Sequence, residues 1–292
     1  MDDRTGSSGR VVIAVAVTDE ADAELVADHL FVLGASAVSD TLDGTALVAD
    51  LPAAAVAGIT RAHRVLDVPD DHASGWQEHA VPVRAGERIV VRAAWVDPGD
   101  EPAGAVDPVD VVVVVDAGAA FGSGSHPTTR LCLAEVEELV GPGDRVLDVG
   151  SGSGVLGVAA LLMGAASVVA VDVDPAAVTA TRSTAGLNGV AGALVASATP
   201  LAEVPGTFDV VVANLLIPII EDLGPDLASR TAGRGTLVVS GLLTGQVDRT
   251  VAAIGLPVQR VRTDGDWCAV VFRRSTDAVD QAPTPTPFQT AM

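Results

Sequence analysis

From Arg145 onward the chain repeats one unit: a short run rich in Val and Ala, a glycine turn, then an apolar run at helical spacing. Strands are expected over 145–149, 167–171, 208–213 and 236–240. Helices are expected over 155–163, 175–187, 217–229 and near 246–254. Strands that alternate with helices imply a parallel sheet with helices on both faces, because each crossover must return the chain to the same end of the sheet. The last two strands, near 258–262 and 268–273, have no helix between them and should pair antiparallel. The fold class is therefore α/β, a doubly wound sheet closed by an antiparallel last strand. Residues 155–171, within the longest uncharged stretch, carry Gly157 and Gly164 and read as a buried helix and strand rather than a membrane span.

Ahead of this lies a smaller unit over 1–70. A β-rich run, 11–17, is followed by Thr18 as a helix cap with Asp19 and Glu20 in the first turn. Leu25, Val26, Leu30 and Leu33 recur at helical spacing and Gly34 stops the run. Two strands, 35–39 and 45–49, flank Asp43-Gly44, a hairpin signal. A second helix over 52–59 and a strand over 64–68 complete a β-α-β-β-α-β order, the ferredoxin-like α+β arrangement. Residues 71–116 form a linker with one or two leading strands, including 111–115. Pro98, Gly99, Pro102, Gly104 and Pro108 mark a mobile loop there. The main domain is expected over 117–274, and 275–292, with three Pro among Thr residues, reads as a disordered tail.

Charge narrows the function classes. Thirty-eight acidic residues face seventeen basic ones, all Arg, for a net charge of −21. Coating a nucleic-acid backbone needs surplus Lys and Arg, so direct nucleic-acid binding is not expected. A basic partner, or simple solubility, suits the charge better. The first seventy residues alone hold twelve acids against four Arg, a net charge of −8. Cys132 and Cys268 are too few for a disulfide framework or a zinc site, which points to a reduced compartment and to no metal. The polar N-terminus does not have the pattern of a signal peptide, so a cytoplasmic location and no membrane contact are expected.

The chemistry centres on Asp148-Val149-Gly150-Ser151-Gly152-Ser153-Gly154, set between a strand and a helix. Glycines there let a ligand approach the backbone and meet the helix N-terminus. Gly152, Gly154 and Gly157 also satisfy the dinucleotide fingerprint, with Asp172 twenty residues past Gly152, so a nicotinamide oxidoreductase competes on this segment. Three further residues favour a cationic nucleoside. Asp148 puts a carboxylate just before the glycines, where a pyrophosphate would be repelled. Asp172 can accept two hydrogen bonds from a ribose diol. Asn214 ends a strand in the crevice where open α/β sheets bind ligands. S-adenosylmethionine carries the sulfonium, the ribose and no phosphate that this set asks for.

Upstream, Phe121-Gly122-Ser123-Gly124-Ser125-His126-Pro127-Thr128-Thr129-Arg130 leads into a helix reaching Val140, with Pro127 in its first turn. Thr128 and Thr129 can cap that helix or bind a ligand, and for His126 a capping or packing role weighs as much as a ligand role. No nucleophile-and-base set accompanies them, which leaves hydrolase chemistry without support.

Taken together, 121–132, 146–154, 171–175, 211–215 and Trp267-Cys268 resemble the bacterial methyltransferase family of large-subunit ribosomal protein eleven. Ser123 and Ser125 stand where that family usually has Thr. Trp76, Pro82, Gly86 and Trp95 fall where its linker has a similar pattern. The resemblance spans about residues 11–274 and is most specific over 121–214. It implies a class I, Rossmann-like methyltransferase domain that uses S-adenosylmethionine, behind a small substrate-recognition domain. It also implies methylation of lysine and N-terminal amines on a basic ribosomal substrate; methylation of another protein or a small molecule is the alternative. By position, Thr129 would touch the methionine part, Gly150 the adenosine, Asp172 the ribose diol. Asn214 would lie where the methyl meets the amine, and is the catalytic candidate. Phe121, His126, Asp148 and Gly152 complete the candidate cofactor-binding set.

Overall fold

The computed structural model describes residues 10–18, 26, 30, 33, 37–40, 46–65, 82–98, 104–116, 124 and 126–274. The hairpin turn at Asp43-Gly44, most of the first expected helix and the 275–292 tail lie outside the described residues.

Four strands build the N-terminal unit: β1 (Arg10–Ala16), β2 (Ala37–Asp40), β3 (Ala46–Pro52) and β4 (His63–Val65). They lie in the order β2-β3-β1-β4, and every neighbouring pair is antiparallel. Side chains alternate across a strand, so Ile13 and Val15 of β1 share a face with Leu47, Ala49 and Leu51 of β3. Val26, Leu30 and Ile59 cover that face and close a small core. The helix expected over 52–59 is a 3-10 segment, Ala53–Gly58. Six residues between two strands complete little α-helix, and the tighter i→i+3 bonding, ending in Ile59 N–H to Val56 O at 3.0 Å, suits so short a span.

Residues read as a connector contribute a three-stranded sheet: β5 (Val83–Ala85), β6 (Ile89–Ala93) and β7 (Val111–Val115). β5 and β6 pair antiparallel, β6 and β7 parallel. Ala85, Ile89, Val91, Val113 and Val115 pack into the same apolar cluster as Leu131, Leu133 and Val136 of helix α1 (Pro127–Leu139). This sheet thus shares its core with the strand–helix domain that follows.

Two polar ties fix it there. The Glu137 carboxylate accepts the N–H groups of Glu87 and Arg88 at 2.9 and 3.0 Å. Asn188 accepts from Val114 N–H at 2.9 Å and donates to Val114 C=O at 2.7 Å, completing the open edge of β7. Asn188→Ala would strip both partners from a half-buried peptide group. It is expected to lower unfolding stability by about 2 kcal/mol, the range for backbone groups left unsatisfied, as read from the denaturant midpoint.

The main sheet holds β8 (Arg145–Val149), β9 (Ser167–Val171), β10 (Leu194–Ser197), β11 (Phe208–Asn214), β12 (Thr231–Leu243), β13 (Val258–Asp264) and β14 (Trp267–Arg273). Their order is β10-β9-β8-β11-β12-β14-β13. The first five are parallel, and β14 runs antiparallel to both its neighbours. Between them come α2 (Val155–Leu162), α3 (Pro175–Leu187), α4 (Ile217–Arg230) and α5 (Val247–Ile254).

Alternation along each strand divides the core. Val146, Val210 and Val212 face one cluster, while Leu147, Val149, Val211 and Ala213 face the other. β10 has no counterpart among the expected strands. Its four residues at a sheet edge are too few to show a pattern. Among the described residues, no helix is long and apolar enough to cross a membrane.

Candidate active site

The chain leaves β8 toward β9 and β10 on one side, then returns to β11 on the other. That reversal opens a crevice beyond the carboxyl ends of β8 and β11, where the flanking loops part in opposite directions. Asp148, the glycine turn, Asp172 and Asn214 all sit at the carboxyl ends of β8, β9 and β11.

The turn between β8 and α2 admits no side chains at two positions. Gly150 has φ +72°, and a Cβ there would press on Leu215 Cδ2. Gly154, the left-handed cap of α2 with φ +81°, would drive a Cβ to 2.8 Å from Thr181 Cα. An L side chain would suffer the strain of positive φ at both positions, and at Gly154 also a clash with backbone.

Asp148 is fully buried. Its Oδ2 accepts Gly157 N–H from the first turn of α2 at 3.0 Å, while Oδ1 has no hydrogen-bond partner among the described residues. Burial pushes its carboxyl up to about 7; the Gly157 N–H opposes the shift and the Asp172 charge adds to it. Between the unfolded value of 3.8 and about 7, the folded state therefore holds a proton that the unfolded chain has released. Stability from this group is complete below 3.8 and is lost as pH rises through about 7. Asp148→Asn should accordingly raise the melting temperature of the ligand-free protein at pH 8, with the gain shrinking toward pH 4. An equal effect at both ends of the range would contradict the buried-carboxyl assignment.

Asp172 follows β9 and is held by the backbone. Oδ2 accepts Gly152 N–H at 2.9 Å, and Oδ1 accepts Asp174 N–H at 3.0 Å. Asp174 in turn caps α3 by accepting Ala176 N–H, with Pro175 as the first helical residue. The carboxylate is thus fixed in place before any ligand arrives. Beside it Val173 is 93% exposed, a large apolar side chain standing open at the rim.

Asn214 ends β11, and its Nδ2 donates to Thr129 Oγ1 on α1 at 3.5 Å. That bond leaves the Asn214 Oδ1 as an acceptor. Leu215 N–H donates to Ser240 O at 3.0 Å, which pins the segment just past the strand. Thr129 is buried. His126 is the N-cap of α1: its Nδ1 accepts Thr128 N–H at 3.4 Å and lies 2.8 Å from Thr128 Oγ1. Its ring packs edge-on against Trp267 at 4.9 Å. Burial, and secondarily the Arg130 charge, hold its pKa below the ordinary histidine value. Phe121 lies outside the described residues.

The structure therefore brings Thr129, Asp148, Gly150, Gly152, Asp172 and Asn214 to the crevice side of the sheet, and gives His126 the capping geometry. Just past Asn214, Leu215 and Leu216 are half-buried, whereas Ile217 is buried in the core. Sequence reading passed over Ser151, Val173 and Thr181. Ser and Thr are common in any helix or turn, and only the fold shows which glycine Thr181 touches.

This strand order, with one antiparallel strand inserted next to the edge and a glycine turn after the first strand of the domain, defines a class I, Rossmann-like methyltransferase fold. A small β-rich unit precedes it. The chain belongs to the ribosomal protein L11 methyltransferase (PrmA) family, whose sequence profile matches residues 13–275. A ribosomal protein L11 methyltransferase of Geobacter sulfurreducens is 44% identical over 207 residues, covering 70% of this chain and 66% of the relative. One of Geotalea uraniireducens is 36% identical over 258 residues, covering 82% and 80%. The crystal structure of ribosomal protein L11 methylase from Lactobacillus delbrueckii subsp. bulgaricus superposes with a TM-score of 0.60 at 30% identity. It covers 67% of this chain and all of that one. The match to the Geobacter sulfurreducens relative thus spans just under two thirds of that relative's length.

Proposed function

We propose that this chain transfers methyl groups from S-adenosylmethionine to lysine and N-terminal amines of the basic large-subunit ribosomal protein after which its family is named. The observation that carries the reading is the meeting of Asn214 with Thr129, 85 residues away, at the mouth of the crevice that holds the glycine turn.

The residues present fit the cofactor. The glycine turn offers a surface without side chains, Asp148 brings a buried carboxyl that a nearby cation would help to ionise, and Asp172 keeps lone pairs for a ribose diol. Val173 adds an exposed apolar face for a purine, and Thr129 a hydroxyl for the methionine part. When bound, S-adenosylmethionine supplies an activated methyl group on a sulfonium. The protein's work is then to position the amine and exclude water.

A free lysine amine has a pKa of about 10.4, and must arrive neutral to react. The apolar flank of Leu215 and Leu216 favours the neutral form by denying water to the ammonium. Asn214 Oδ1 can accept an amine hydrogen without the negative charge that would keep the amine protonated. No metal or covalent intermediate enters this scheme.

The strand order β2-β3-β1-β4, antiparallel throughout, supports reading the first seventy residues as a ferredoxin-like recognition domain. Residues 71–116 lead from it into the 117–274 catalytic domain, whose core β5, β6 and β7 share. The −8 charge of residues 1–70 suits steering of a basic protein, an attraction that salt weakens. Two buried free thiols accord with a reducing cytoplasmic setting.

Incubation with methyl-labelled S-adenosylmethionine and purified large-subunit ribosomal proteins, followed by mass spectrometry, tests the reading. Label should collect on amines of one basic protein. Absence of label on every protein would overturn it. Thermal shifts with S-adenosylhomocysteine, and none with NADH, would set a nicotinamide oxidoreductase aside.

A further inference from the structure

We propose that Thr181, on α3, is a positioning residue that sets the Gly152 peptide and through it the Asp172 carboxylate. The inference rests on the reading of the turn as the S-adenosylmethionine site. Thr181 is fully buried. Its Oγ1 donates to Gly152 O at 3.2 Å and lies 2.9 Å from Ser151 Oγ. With its one hydrogen committed to Gly152, Thr181 takes the Ser151 hydroxyl hydrogen in return. On the other side of the residue, the Thr181 Cα and Cγ2 fill the space a Gly154 side chain would need, at 2.8 and 2.9 Å.

Gly152 is therefore gripped at both ends. Its N–H goes to Asp172 and its C=O receives Thr181. Glycine has the widest backbone freedom of any residue, so a peptide in a run of alternating glycines holds its orientation only where neighbours fix it. Were the carbonyl released, the N–H would be free to swing away from Asp172, and the carboxylate would lose the bond that aims it. A threonine suits the post because one side chain supplies both the hydroxyl for Gly152 and the methyl packed under Gly154.

Thr181→Val keeps the shape and removes the hydroxyl. S-adenosylhomocysteine should bind it about tenfold more weakly by calorimetry, and the melting temperature should fall by a few degrees, because the buried Gly152 carbonyl loses its hydrogen bond. Thr181→Ser should bind close to the parent. In an Asp172→Asn background the Thr181→Val loss should shrink, because the two side chains hold the two peptide groups that flank one residue, Gly152. If Thr181→Val fails to fold, the Ser and Ala variants decide: Ser must bind several-fold more tightly than Ala. Equal affinity of Val and parent, or of Ser and Ala, overturns the proposal alone. A parent protein that binds neither S-adenosylmethionine nor S-adenosylhomocysteine overturns the cofactor reading beneath it.

Discussion

Asn214→Ala is expected to lower turnover by roughly 10²- to 10³-fold, the scale at which loss of a positioning contact is felt in a reaction governed by geometry. Affinity for S-adenosylhomocysteine should fall far less. Asn214 touches the glycine turn only at a distance, through Leu215 packed against Gly150. Its own bond runs to Thr129, with Nδ2 donating, so Oδ1 remains to receive an amine hydrogen.

Removing the side chain takes away that acceptor and leaves β11, the sheet and the turn in place. Asn214→Asp gives a sharper check. A carboxylate at the same spot would hold the incoming amine as ammonium, so residual activity should move to higher pH. Parent-like turnover in Asn214→Ala, measured at saturating cofactor, would remove this residue from the mechanism.

Asp172→Ala should cost the most affinity, weakening S-adenosylhomocysteine binding by about 100-fold, since hydrogen bonds to charged groups are each worth about 1.5–3 kcal/mol. Two losses combine. The diol acceptor disappears, and the N–H groups of Gly152 and Asp174 lose their acceptor, which frees the turn and the entrance to α3 together. Asp172→Asn retains one good acceptor and should fall between parent and Ala. Calorimetry reads the series directly, and an Asp172→Ala protein that binds like the parent would falsify the ribose assignment.

Much of this site was legible because its parts are local. Three alternating glycines between an apolar strand and an apolar helix have few other uses, and an acid twenty residues on lies one β-α-β step away. β8, β9 and α3 were expected with the bounds they have, since each begins at, or is followed at once by, a Pro or a charged residue. Asp148 was expected to carry a formal charge toward a cation. Its burial and its raised pKa depend on the walls of a core built from distant segments. The sheet of β5, β6 and β7 was read only as a connector because its strands are short. They gain stability from packing on α1 and from the Asn188 and Glu137 bonds, all of which lie well down the chain.

By itself the sequence determined the alternation of strand and helix, the glycine turn, the acids beside it and the surplus of negative charge. Each of these is written in neighbouring residues, where period, propensity and backbone freedom act. Only the tertiary structure decided which strands lie side by side, and so whether Thr129 meets Asn214 and whether Thr181 reaches Gly152. Alternation of strand and helix is compatible with many strand orders. The choice among them is made by the burial of whole faces against one another, and that couples residues far apart in the chain.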